Sequence, residues 1–471
     1  MTDGGHSRRE WLQWCGGLGV IAGIAGVAGC IGEDDEPLEL TADDGTSDTS
    51  SDEDTDEVDS AVEDDDADAG DTEDADDATD DDADAEERAD DDEDDQSKPD
   101  GSARLATLLP KTGDLASFGQ SMTNAATLAA TQIDEESSLE VEVRTEDTET
   151  SPEVAVARAQ DLLAAGHESI IGAAATHITS EVAENVTIPQ NATLVSPSST
   201  GTGDLDPSFL RTVPHDRLQG AALADGAIGS FDPDSVALIA LDNQYMAGIA
   251  EATASAVADR GLDITTTVFY EFGQSSYGAE LEAALENDPD VLLVQGFHDV
   301  TAPLVQQYYE AFDTGAGIVV SDALVDADFV ERVEHPMNDV VGVRLAERGP
   351  FGEAFERLYQ HTYSVDPEPF AANAYDAAAV VLLATFAAGD TTGTAVREAI
   401  PPVTAGGGTQ ITPENLPEGA ALAAAGESVR YVGASGPIEF TNGGDLSVAS
   451  FELAQVEGNT FETVESFIVE S

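Results

Sequence analysis

Hydroxyl side chains follow two of the predicted strands, at the point where each strand ends. Thr176 comes after the apolar run 169–172, and Ser199 and Thr200 come after the run 192–196. Open α/β sheets bind ligands at the carboxyl ends of their strands, where helix amino termini add backbone N–H donors. These hydroxyls could therefore hold an anionic group, although capping the next helix is the commoner role for Ser and Thr.

A carboxylate and a phenol follow strands further along the chain. Asp322 comes just after the apolar run 317–320, and Tyr245 follows the run 236–241. A carboxylate at the end of a strand could bind a cationic group. The alternatives are that Asp322 is a solvated surface residue and that Tyr245 packs beneath the sheet. His177 receives no role.

The loop at residues 111–119 occupies the same kind of position earlier in the chain. It follows a short apolar run, 105–109, which Pro110 ends and which is typical of a buried parallel strand. From Gln120 the apolar residues recur with helical spacing, so we predict a helix there. Phe118, near the end of this loop, could contact a ligand.

Apolar runs and helical segments alternate through the rest of the chain, which predicts α/β lobes with parallel sheets. About 370 residues are too many for one ordinary core and suit two lobes. The predicted helices start near residues 151, 178, 277, 351 and 370. The further predicted strands are residues 139–143, 264–269, 290–294 and a late one at 436–440.

The charge of the chain indicates where it works. Its formal net charge is −79, from 96 acidic and 17 basic residues, and 37 of the acids lie in residues 33–100. Such self-repulsion destabilises a compact chain, but molar salt reduces the Debye length to about 3 Å and screens it. We therefore expect a halophile, and in particular a haloarchaeon. Nucleic-acid binding is excluded, because no basic patch could meet phosphates.

The amino terminus predicts an export signal and a membrane anchor. Arg8 and Arg9 form a twin-arginine pair, and residues 11–29 carry no charge. Small residues precede Cys30, as in a lipoprotein cleavage site, so we expect twin-arginine export and lipid attachment at Cys30. An uncleaved transmembrane helix is the alternative, since this run could nearly span a bilayer. Residues 31–101 are too acidic and too polar to fold, which predicts a disordered linker.

Motifs for catalysis are missing from the sequence. It has no Gly-x-x-x-x-Gly-Lys-Ser/Thr phosphate loop and no Gly-x-Ser-x-Gly nucleophile elbow, and its seven His are scattered without zinc spacing. We therefore expect no enzyme, no metal and no cofactor, and any ATP hydrolysis would belong to a partner chain. A hydrolase on this scaffold is the weakest of the alternatives.

Several short blocks, in order, resemble the extracellular binding proteins of ABC importers for branched-chain amino acids, the leucine/isoleucine/valine-binding family. The blocks are Leu109-Pro110 with Thr112-Gly113 and Phe118-Gly119, Ile171-Gly172, Val195-Ser196-Pro197, Arg211-Thr212 with Asp216 and Gln219-Gly220, Asp242 with Tyr245, Pro289-Asp290, and Gly433 to Pro437 with Gly444-Asp445. The resemblance implies a type I periplasmic-binding-protein fold with two interleaved, doubly wound lobes. Residues 102–214 and 345–445 would form one lobe, and residues 215–344 and 446–471 the other.

The resemblance also assigns roles at the cleft between the lobes. Thr176, Ser199 and Thr200 would hold the carboxylate of an amino acid, and Asp322 would bind its ammonium, where the family more often has Glu. Tyr245 would help to hold the amino-acid backbone. The lobes would close on the ligand by hinge motion and deliver it to a membrane permease that works with a separate ATPase. A ligand sensor for a membrane signalling protein is the alternative function.

Overall fold

The structure, a computed structural model, describes residues 101–201, 206–346 and 349–471. The predictions for Arg8, Arg9, Cys30 and the acidic linker therefore lie outside the described residues. The first sheet has five parallel strands in the order β2-β1-β3-β4-β5. Its strands are β1 (Ser102–Leu109), β2 (Glu140–Asp147), β3 (Ser169–Gly172), β4 (Thr193–Ser196) and β5 (Phe209–Arg211).

The second sheet has seven strands in the order β14-β13-β10-β9-β8-β6-β7, and all but the two last in sequence are parallel. Its strands are β6 (Ser235–Leu241), β7 (Asp263–Tyr270), β8 (Val291–Gln295), β9 (Gly317–Val320), β10 (Val340–Leu345), β13 (Val448–Glu457) and β14 (Thr460–Glu470). A small parallel pair joins β11 (Thr409–Ile411) to β12 (Val429–Tyr431).

Helices cover both sheets. They are α1 (Ala116–Glu136), α2 (Pro152–Ala164), α3 (Thr176–Val182), α4 (Asp216–Phe231), α5 (Gln244–Asp259), α6 (Gly278–Leu285), α7 (His298–Gln307), α8 (Ala327–Val333), α9 (Gly352–Tyr363), α10 (Ala371–Ala388), α11 (Gly393–Thr404) and α12 (Leu416–Ala424). Helix α10 has the length and apolar composition of a membrane span, but it is a core helix that packs against α1 and the first sheet.

The chain passes between the two sheets three times. The passages run from β5 to α4, from β10 to α9 and from β12 to β13. Helices α9 to α12 pack with the first sheet, whereas β13 and β14 belong to the second sheet. This arrangement confirms the predicted fold of two interleaved α/β lobes with parallel sheets. The residue at which each lobe begins and ends remains a prediction.

Two local predictions were wrong. Helix α1 begins at Ala116 rather than at Gln120, and Gly119 serves close packing inside it, since a Cβ there would lie 1.8 Å from the carbonyl oxygen of Pro110. The late strand predicted at residues 436–440 is absent from the described segment 349–471, where only Phe440 bridges to Leu446. Pro437 has no N–H to donate to a ladder, and Gly436 has a φ of 154°.

A buried carboxylate on α10 holds that late segment in its loop conformation. Asp376 accepts hydrogen bonds from the Tyr431 hydroxyl at 2.6 Å, from the Ala434 N–H at 2.8 Å, and from the N–H and hydroxyl of Ser435 at 2.8 and 2.5 Å. Burial raises the pKa of Asp376 to about 6, and these hydrogen bonds act in the opposite direction. Four donors to two oxygens explain why a charged residue is tolerated in this core.

We expect Asp376→Asn to lower the free energy of unfolding by about 3 kcal/mol, because the amide nitrogen faces donors and cannot accept from them. Denaturant unfolding in molar KCl measures this change. Glu398→Gln, an exposed change on α11, serves as the control and should leave the unfolding free energy nearly unchanged. Equal stability of the Asn variant and the wild type would contradict the role given to Asp376.

Candidate functional site

The hydroxyls predicted from the sequence lie at the carboxyl ends of β3 and β4. Thr176 is the first residue of α3 and is half-buried, while Ser199 and Thr200 are buried in the loop after β4. Ser196 ties the two loops together, since its hydroxyl donates to the Ala173 carbonyl at 2.9 Å and accepts from the Ser199 N–H at 3.1 Å. The Ser199 hydroxyl is buried and has no hydrogen-bond partner among the described residues.

Asp216, at the start of α4, lies beside these hydroxyls. A Cβ added to Gly201 would lie 2.7 Å from its Oδ2 and 3.8 Å from the Thr176 Oγ1, so both oxygens flank Gly201. Burial raises the pKa of Asp216 to about 6, against the opposing effects of the Thr200 hydroxyl and the Arg211 charge. Its Oδ1 is buried without a hydrogen-bond partner in the described part of the chain. No role in the site was predicted for Asp216 from the sequence.

Arg211 connects this region to the passage between β12 and β13. Its Nε lies 2.7 Å from the Asp445 Oδ1, and its Nη1 donates to the Ser199 carbonyl at 2.9 Å. The guanidinium also lies 5.0 Å from the centre of the Phe209 ring. Burial lowers the pKa of Arg211, and the carboxylates of Asp445 and Asp216 oppose that shift. The loop that carries Ser199 and Thr200 is therefore fixed by a buried charge.

The second sheet presents Tyr245 and Asp322 at the ends of its strands. Tyr245 is the second residue of α5, whose start is capped by Asn243, the side chain of which accepts from the Met246 N–H at 2.8 Å. Asp322 begins a short 3-10 turn after β9 and accepts from the Leu345 N–H at 3.2 Å. Both side chains are half-buried. Among the described residues, His, Cys, Asp and Glu side chains form no group suited to a metal ion.

A small pocket of about 20 Å³ brings together three of the predicted residues from the two sheets, Thr200, Tyr245 and Asp322. Next to it lies a larger cavity of about 350 Å³, which we call the hinge cavity because residues of all three passages line it. Asp322 lines both spaces, as do Pro214, Leu345 and Phe370, so the two are contiguous. Phe118 is only 2% exposed and lines neither of them.

The loop at residues 111–119 is fastened to the end of β2 by one carboxylate. The Asp147 Oδ1 accepts from the backbone N–H groups of Lys111, Thr112 and Glu149 at 2.8, 3.2 and 2.9 Å, and its Oδ2 accepts from the Thr112 hydroxyl at 2.8 Å. Partial burial raises the pKa of Asp147, but these hydrogen bonds outweigh it and hold the pKa below its usual value. The loop therefore has a defined conformation at the end of β2.

Comparison with known proteins identifies relatives of this fold. A sequence profile of the family described as periplasmic binding protein matches residues 102–460. The substrate-binding protein BasB of a chemotactic signal transduction system in Halobacterium salinarum is 30% identical over 311 residues, which are 63% of this chain and 71% of BasB. These relatives are binding proteins, which agrees with the expectation from sequence that the chain is no enzyme.

Solved structures share the fold at low sequence identity. The leucine-binding protein LivK of Thermotoga maritima is 21% identical with a TM-score of 0.56, over 78% of this chain and 98% of that one. The branched-chain amino acid binding protein LivJ of Streptococcus pneumoniae, solved with isoleucine, is 18% identical with a TM-score of 0.55, over 79% of this chain and all of LivJ. At this level of sequence identity, the similarity shows a shared fold and nothing about the ligand.

We expect Asp147→Ala to loosen the loop at residues 111–119, because four hydrogen bonds lose their common acceptor. Hydrogen exchange should quicken at the amides of Lys111, Thr112 and Glu149 while exchange in the strands of the second sheet stays unchanged. Glu135→Ala, an exposed change on α1, is the control. Unchanged exchange at all three amides would show that Asp147 does not hold the loop.

Proposed function

The chain belongs to the periplasmic binding protein family, and we propose that it is the lipid-anchored, extracellular solute-binding protein of an ABC importer. Its ligand is an amino acid, held between the carboxyl ends of the two sheets and delivered to a membrane permease that a separate ATPase drives. Branched-chain amino acids are the class that the sequence resemblance suggests. The anchor would be Cys30 after export directed by Arg8 and Arg9, with a retained transmembrane helix as the alternative.

The observation that carries this proposal is a pair of unsatisfied buried groups that flank Thr200, a residue that lines the small pocket. The Ser199 hydroxyl can donate and the Asp216 Oδ1 can accept, and both are buried without a hydrogen-bond partner among the described residues. Leaving such a group unpaired costs about 1–3 kcal/mol, and more where it is charged. A zwitterion supplies both complements, since its carboxylate accepts from Ser199 and its ammonium donates to Asp216.

The remaining residues complete the amino-acid site in this proposal. Thr176 and Thr200 add hydroxyls near the carboxylate, and Asp322 adds a second acceptor for the ammonium from the other sheet. Tyr245, which lines the small pocket with Thr200 and Asp322, covers the amino-acid backbone. A ligand that touches both sheets would favour the closed arrangement, because only closure completes its contacts. Phe118 has no part in the proposed contacts because it is packed in the core.

A ligand sensor for a membrane signalling protein is the second candidate. The name of the relative BasB, which belongs to a chemotactic signal transduction system, favours it. Both candidates need the same binding cleft and differ in the partner chain. A strain that lacks the gene separates them: an importer loses uptake of the solute, and a sensor loses taxis toward it while uptake continues.

Asp216 makes the binding of an amino acid depend on pH. We expect affinity to fall as pH is lowered from 7 to 5, because an acid of pKa about 6 becomes protonated and no longer attracts the ammonium. The stability of the unliganded protein should change in the opposite sense. A carboxyl whose pKa is raised on folding adds most to the free energy of unfolding below its unfolded-state pKa of about 4. This contribution to stability is lost as the pH rises through the folded-state pKa of about 6.

The test is calorimetric titration in molar KCl with the amino acid that gives the largest thermal shift. Asp216→Asn should weaken binding at least tenfold at pH 7 and should abolish the pH dependence. It should not lower the melting temperature of the unliganded protein at pH 7, because it removes a buried charge whose ionisation burial disfavours. Asp225→Asn is the matched control, since Asp225 lies on the same helix but pairs with Arg260 at the surface. Wild-type affinity in the Asp216 variant, or no thermal shift with any amino acid, would refute the proposed site.

A further inference from the structure

The Gln219-Gly220 pair on α4 is a motif of the sequence that the proposed amino-acid site does not use. Gln219 comes three residues after Asp216, so the two side chains share one face of this helix. Gln219 also lines the small pocket, together with three of the residues predicted from the sequence, Thr200, Tyr245 and Asp322. A polar side chain of the helix that carries Asp216 therefore reaches the place where the ligand is proposed to lie.

Close packing at Gly220 fixes the face of α4 on which Gln219 lies. A Cβ added to Gly220 would lie 2.6 Å from the backbone carbon of Ala252 and 2.6 Å from the backbone nitrogen of Thr253, both on α5. Only glycine fits where the two helices touch. Successive side chains of a helix point about 100° apart, so Gln219 faces away from this contact and borders the pocket instead.

The side-chain amide of Gln219 is not committed to the protein. Gln219 is half-buried, and its amide makes no hydrogen bond with the described residues. A primary amide has two N–H donors and an acceptor oxygen. Closure of the lobes over a ligand would bury this group further, and burial is unfavourable for an amide without partners. A ligand that supplies a partner would remove that cost.

The neighbouring side chains indicate which group of the ligand Gln219 meets. The Thr200 hydroxyl donates to Asp216, so its hydrogen is engaged within the protein. Asp216 and Asp322 are carboxylates, which accept hydrogen bonds and suit an ammonium. Gln219 adds two N–H donors to the same region, and donors are what a ligand carboxylate needs.

We propose that Gln219 binds the carboxylate of the solute from the side of the second sheet, while Ser199 binds it from the first. This inference rests on the proposed function and adds a specificity-determining residue to it. Ser199 lies in the loop after β4, whereas α4 packs on the second sheet. A carboxylate held by both would favour the closed arrangement, because opening removes one of its donors. The solute is then a free amino acid rather than an amide, an ester or a simple amine.

The test compares the amino acid that gives the largest thermal shift with its own primary amide, by calorimetric titration in molar KCl at pH 7. For a branched-chain solute the probes are leucine and leucinamide. The wild-type protein should bind the acid at least tenfold more tightly than the amide. Gln219→Met keeps the length of the side chain but has no N–H, so it should reduce this preference several-fold while leaving the affinity for the amide within about twofold.

Two further variants sharpen this test. Gln219→Glu should weaken binding of the acid more than Gln219→Met does, because two carboxylates would then face each other. Gln120→Met, an exposed change on α1, is the matched control and should retain the full preference. The melting temperature of unliganded Gln219→Met should equal that of the wild type, since no hydrogen bond within the protein is lost.

The outcomes separate this inference from the proposed function. If Gln219→Met keeps the full preference for the acid, or melts well below the wild type without ligand, Gln219 does not recognise the carboxylate and the amino-acid site stands without it. If the wild type binds the amide as tightly as the acid, neither Gln219 nor Ser199 holds a carboxylate. If no amino acid binds, the proposed function fails and this inference fails with it.

Discussion

The buried guanidinium of Arg211 is the constraint on which the site depends. It lies at the end of β5, pairs with Asp445 in the passage that leads to β13, and donates to the carbonyl of Ser199 in the loop after β4. Removing one partner of such a buried pair costs about 3–5 kcal/mol, because the remaining charge is left uncompensated. One side chain thus joins the loop that presents the hydroxyls to a segment that connects the two sheets.

Two buried carboxylates in this protein share a pKa of about 6 and differ in what they do. Burial is the main cause of the raised pKa for both Asp216 and Asp376. All the donors around Asp376 come from the protein, and they fix the loop at residues 433–437. One oxygen of Asp216 has no such donor among the described residues. A ligand is therefore expected at Asp216, and a structural role is expected for Asp376.

The fold was largely predictable from local sequence. A buried parallel strand is a short run of apolar residues, and such a run can be recognised without knowledge of the rest of the chain. Runs such as 169–172 and 317–320 coincide with β3 and β9. The pair β13 and β14 was not predicted as strands. The segment at residues 436–440 was wrongly predicted as one, because the chain just before it donates hydrogen bonds to Asp376, which lies on a helix distant in sequence. Candidate site residues that follow strands, such as Thr200 and Asp322, could be placed in the same way. Asp216 could not, because its burial and its unpaired oxygen depend on packing across the cleft.

The hinge cavity was also beyond prediction, because its walls come from all three passages and from α9, which are far apart in sequence. The central claim is that an amino acid lies between the two sheets with its charged groups at Ser199 and Asp216. A crystal structure of the protein, grown in molar KCl with the amino acid that gives the largest thermal shift, tests it most directly. We expect the ligand ammonium within hydrogen-bond distance of Asp216 and Asp322, and the ligand carboxylate at Thr176 and Ser199. A ligand bound outside this cleft, or bound with Asp216 still unpaired, would contradict it.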